Sequence, residues 1–237
     1  MTSWLCLEPL CSPVAGAGYK PRLVVHVDMT PEEFLDAVRT DNKTALSRLG
    51  STKSLYADTG GEMEPETVLA AAADAEYHAH ETYAAWADEE ADATAAEVFA
   101  ETADEEQAHY ERVAGELDAH EPSAEVPAIQ QTLRGYDDTL ERLGGLVGRT
   151  VAAEASKNQL TGFFVGQADP QTAQLFRDIG ADLDPQLERA TDALAAHCAS
   201  EEDWQTALDA ATEAIQAAYA EYTERLESMG VNPKPVC

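Results

Sequence analysis

Two carboxylates and an imidazole stand on helical faces that otherwise carry apolar or small residues. Glu106 and His109 form E-x-x-H within ATAAEVFAETADEEQAHYERVAGELDAH, where Phe99, Ala103, Tyr110, Val113 and Leu117 recur at helical spacing. Glu106 falls on that stripe, and His109, three residues on, faces the same side. Upstream, VLAAAADAEYHAHETYAAWADEE carries a comparable stripe of Leu69, Ala72, Tyr83 and Ala87, interrupted by Glu76. A buried carboxylate is costly unless it is paired, protonated or bound to a metal. A Glu and a His three apart on one helix converge on a single ion, and carboxylates from facing helices bridge two. Metal ligation is therefore the chemistry these residues suit. The alternative is a decayed site, held by protonation or by an ion pair with Arg112 or Arg149.

These residues need two facing helices, and residues 66–120 supply them as a hairpin with a short acidic turn. The hairpin recurs. VFAETADEEQAHYERVAGELDAH (98–120) aligns with LFRDIGADLDPQLERATDALAAH (175–197), so that Phe99 meets Phe176, Arg112 meets Arg189 and His120 meets His197. In the preceding helices Glu76 meets Glu154 and Trp86 meets Phe164. A duplicated helical hairpin, 66–120 and 137–198, predicts an all-α protein built as an antiparallel four-helix bundle. The two copies differ at the motif: Glu106 meets Leu183 and His109 meets Gln186, leaving L-D-P-Q in place of E-x-x-H. Asp182 and Asp184 lie nearby but off the homologous positions.

Residues 66–200 resemble the ferritin-like domain of the rubrerythrin family, through AAAADAEYHAHETY and FAETADEEQAHYERV. The resemblance implies a ferritin-like bundle holding non-haem iron on Glu76, Glu106, His109 and Glu154. It also implies peroxide reduction or ferrous-iron oxidation, with electrons from a donor the sequence does not identify. The sequence departs from the family in lacking the E-x-x-H of the fourth helix and any rubredoxin module. Three carboxylates neutralise two divalent ions less well than four, so at most one tightly held iron is expected. The competing reading is a metal-free or single-metal bundle with a structural or interaction role.

With 45 acidic and 15 basic residues the chain carries a formal charge of -30. Such a surface disfavours nucleic acid and anionic membranes. Spread over every helix, the acid points to a salt-adapted cytoplasmic protein, since salt screens its self-repulsion. Cys6, Cys11, Cys198 and Cys237 form no C-x-x-C, and no disulfide framework is visible. No stretch approaches the length of a membrane span.

Residues 1–28 differ in composition and read as an extra segment upstream of a natural start at Met29; the runner-up is a flexible tail with a short strand at Leu23–Val27. Residues 29–230 read as one domain. A flanking helix is expected from Thr30 to about Leu49, opened by a Thr30/Glu33 capping box, with a loop or short turn over 51–64. Gly144 and Gly145 predict a kink or break, and Pro185 a bend. A last helix, 201–229, has an apolar stripe running from Trp204 to Leu226 and no counterpart in the repeat. It is expected outside the bundle or at a subunit interface, which would make the protein a homodimer. His80 is placed either at the site or on the surface, while His120 and His197 suit helix ends.

Overall fold

The computed structural model describes residues 29–234, and the described residues form helices and connections without strands. Among the described residues nine helices follow one another: α1 (Pro31–Asp41), α2 (Lys43–Leu49), α3 (Thr52–Asp58), α4 (Pro65–Glu89), α5 (Ala93–Ala114), α6 (Ala128–Leu133), α7 (Thr139–Gly166), α8 (Pro170–His197) and α9 (Glu201–Ser228). The proposed extra segment at 1–28 lies outside the described residues. No helix among them is long and apolar enough to cross a membrane.

Helices α4 and α5 make one hairpin and α7 and α8 the other, as the duplication predicts. Each second helix opens on an aspartate that satisfies free amides of its first turn. Asp92 accepts from the N–H groups of Thr94 and Ala95 at 3.0 Å, and Asp169 from Thr172 at 3.1 Å. The hairpins match in their cores as well. Trp86 packs on Phe99 with ring centroids 5.2 Å apart, and Phe164 on Phe176 at 5.6 Å, all four side chains buried. Contacts between hairpins run in opposite chain directions. Arg189 pairs with Glu105, Gln186 with Glu106 and Asp182 with His109 between α5 and α8. Arg142 pairs with Glu89, and Arg149 with Glu76, between α4 and α7. The result is an antiparallel four-helix bundle with flanking helices.

Tertiary contacts redraw several local expectations. Helix α7 runs unbroken through Gly144 and Gly145. Gly144 and Gly148 lie directly against the backbone of α9: a Cβ at Gly144 would stand 2.2 Å from the Ala207 carbonyl oxygen, and one at Gly148 2.3 Å from that of Ala211. These glycines serve close helix approach, not a break. Helix α9 is thereby seated on α7, with Trp204, Ala207, Ala211, Ile215, Tyr222 and Leu226 in the core. The stripe that suggested a subunit interface is covered within the chain. Helix α8 continues through Pro185. The flanking helix divides at Asn42, whose amide donates to the Val38 carbonyl and to Thr212 Oγ1, both at 3.0 Å, and accepts from Gln216 at 2.8 Å. The capping box at Thr30 and Glu33 is present. Residues Thr52–Asp58 form a helix of their own, and Ala128–Leu133 is separated from α7.

Candidate functional site

The centre of the bundle brings Glu76 of α4 together with Glu106 and His109 of α5. All three are buried, and one ligand-type atom from each lies within 4.8 Å of the others. Among the described residues no other cluster of His, Cys, Asp or Glu is placed to hold a metal ion. The His109 ring is oriented for such a role. Its Nε2 faces Asp182 Oδ2 at 3.1 Å, while its buried Nδ1 has no hydrogen-bond partner and lies 3.9 Å from Glu106 Oε2. A histidine whose outer nitrogen is fixed by a carboxylate presents the other to an ion. Asp182, off the homologous ligand position, thus acts from behind His109, and Arg112 supports it at 3.3 Å.

Two cations from α7 occupy the same centre. Arg149 donates to Glu106 through both terminal nitrogens, at 2.8 and 3.0 Å, and to Glu76 Oε2 at 3.3 Å. Lys157 donates to the other oxygen of Glu76. Both are almost fully buried. Gln186 of α8 adds an amide N–H to Glu106 at 3.2 Å. Two carboxylates and two side-chain cations make a balanced cluster, the condition under which buried charge is tolerated.

The ionisation behaviour follows. Burial alone would push the Glu106 carboxyl up, but the Arg149 guanidinium, with His109, holds it well below the ordinary carboxylate range. Burial lowers and the carboxylates raise His109; the net effect is an imidazole that keeps its proton above the usual value. The Tyr83 hydroxyl, buried without a partner and close enough to feel the cluster's charges, is held protonated chiefly by burial.

Glu154 stands apart. Its carboxylate accepts from Arg39 of α1 at 3.2 Å on both oxygens, and its side chain is 26% exposed. It occupies the position homologous to Glu76, but the inner face of α7 is taken by Thr150, Lys157 and Leu160, and α1 offers Glu154 a partner outside. The homologous positions on α8 do face inward: Leu183 and Gln186 are fully buried.

The other histidines among the described residues make local hydrogen bonds and ion pairs. His80 donates toward the Ala103 carbonyl at 2.9 Å, bridging α4 and α5 away from the centre, and His78 toward that of Ser123 at 2.9 Å. His120 pairs with Asp74 at 3.2 Å and His197 with Asp92 at 3.0 Å.

Arg149 was visible in the sequence as a counter-charge; Lys157 was not. Its signal is a lysine on the buried stripe of α7, one turn before Leu160 and two before Phe164, in a chain where lysine is scarce. Compared with family models, curated proteins and solved structures, the chain matches none.

Proposed function

We propose that this is a rubrerythrin-like bundle working without metal, its carboxylate centre closed by Arg149 and Lys157, and that its role is structural or binding, not turnover of an oxidant. The observation that carries the reading is the pair of buried cations on Glu76 and Glu106. A guanidinium and an ammonium together supply two positive charges, as many as one divalent ion, and these neutralise the two carboxylates. An ion entering here would meet two fixed cations inside a low-dielectric core, where like-charge repulsion is strongest.

A second reading has its own support in the His109 ring, held by Asp182 with Nδ1 unpartnered. On that reading Glu76, Glu106 and His109 hold one ion, which would supply Lewis-acid or redox chemistry, and Lys157 withdraws from Glu76. Glu154 joins only if it leaves Arg39.

The two readings separate in one experiment. The full chain is incubated with Fe(II), Mn(II) or Zn(II), desalted and assayed for metal. The wild type should retain no stoichiometric ion, and the double variant Arg149→Ala/Lys157→Ala should retain one. A full equivalent on the wild type would reject the metal-independent reading.

A further inference from the structure

A cavity of about 550 Å³ opens between α3, α4, α7 and α9, with Arg149 and Lys157 in its wall. The volume is in the range that holds small organic ligands. Leu55, Val68 and Leu160 give it an apolar side. Its charged side is short of cations. Arg225 is shared among three carboxylates, Glu221 at 2.8 Å, Glu125 at 3.5 Å and Asp58 at 3.9 Å. Asp58 lines the cavity, with its side chain 45% exposed. The surrounding walls nonetheless push its carboxyl up to about 6, with Arg225 opposing and Glu221 adding to the rise. Arg149 and Lys157 do not relieve this shortage, because both are committed to Glu76 and Glu106.

A second feature of the wall is independent of the acids. Gln130 is 2% exposed and lines the cavity, and its Oε1 has no hydrogen-bond partner among the described residues. A buried amide oxygen without a donor is an unsatisfied acceptor, and a ligand N–H completes it.

We propose that this cavity binds an amphiphilic organic amine, its ammonium offsetting Asp58 and Glu221, an N–H reaching Gln130 Oε1, and its apolar chain lying on Leu55, Val68 and Leu160. An anion of the same shape meets the rim carboxylates, and a neutral alcohol leaves their charge uncompensated. Binding here rests on the metal-free reading of the neighbouring centre, in which Arg149 and Lys157 stay on Glu76 and Glu106.

The test is calorimetric titration of the full chain with octylammonium, octanoate and octanol as probes. About 1 M KCl shortens the screening length to about 3 Å and suppresses diffuse attraction to the acidic surface. Octylammonium should show one saturable site, with octanoate and octanol weaker by about tenfold or more, and Asp58→Asn should weaken octylammonium by about tenfold. Ala75→Phe, at an exposed position lining the cavity, should remove the site while leaving the melting temperature unchanged. Absence of a saturable octylammonium site, equal binding of octanoate or octanol, or undiminished binding to Ala75→Phe would overturn the proposal.

Discussion

Lys157 and Glu76 show how strongly a buried charge depends on its partner. Glu76 is fully and Lys157 almost fully buried, so each is tolerated because the other is there. Removing one member of a buried ion pair costs about 3–5 kcal/mol, because the survivor keeps its desolvation cost. Lys157→Met should lose stability at the upper end of the usual mutational range, tempered by the Arg149 contact that Glu76 retains at 3.3 Å. Adding Glu76→Gln to that variant should restore part of the loss, since an amide is cheaper to bury than a lone carboxylate. Denaturant midpoints of the wild type, the two single variants and the double variant measure the coupling. Additive losses would mean that Lys157 and Glu76 do not act as a pair.

At the level of helices, two junctions make opposite demands on side chains. The α7–α9 contact has no room for a methyl group at Gly148, where a Cβ meets backbone at 2.3 Å, whereas a Cβ at Gly162 of the same helix meets nothing within 4 Å. Gly148→Ala should force the helices apart and cost about 1–3 kcal/mol. Gly162→Ala should stabilise by about 0.5–1 kcal/mol, the gain from replacing glycine inside a helix. Thermal unfolding of the two variants should therefore shift in opposite directions. The second junction joins the end of α8 to the start of α5. His197 Nδ1 donates to the Ala193 carbonyl at 2.7 Å, and Nε2 faces Asp92 at 3.0 Å. Burial lowers the His197 pKa, but the Ala193 carbonyl and Asp92 more than compensate and raise it. The folded state therefore holds this proton more tightly than the unfolded chain. The stabilisation is complete below the unfolded value of about 6.5 and is lost as pH rises through the higher folded value. His197→Gln should flatten the fall in stability between neutral and mildly alkaline pH, as followed by melting temperature against pH.

The whole molecule is dominated by its charge of -30, while its core centre is balanced. The uncompensated acid lies on the surface, where repulsion opposes compaction and salt relieves it. The screening length falls from about 30 Å at 0.01 M to about 3 Å at 1 M. We propose salt adaptation on this ground: the melting temperature should rise steadily between those concentrations, and chloride and acetate salts of potassium should act alike if screening is the cause. The buried Glu76–Lys157 coupling should change little over the same range, since screening barely reaches a buried pair.

What the sequence determined by itself is what neighbours along the chain encode. Helical periodicity and the repeat that pairs Trp86–Phe99 with Phe164–Phe176 were enough for an all-α, two-hairpin bundle. They were also enough to bring Glu76, Glu106 and His109 to one centre, because the buried stripe of each helix is fixed by its own spacing. Tertiary structure decided which groups those carboxylates meet. Lys157 enters the centre and Glu154 leaves it, although they stand three residues apart on α7, because the outcome depends on the faces of α1 and α4 that α7 encounters. Gly144, read locally with Gly145 as a weak point, became together with Gly148 a contact surface once α9 lay against them. Local spacing sets which side of a helix is buried; only the packed neighbours determine whether a carboxylate there finds an ion, a lysine or an arginine.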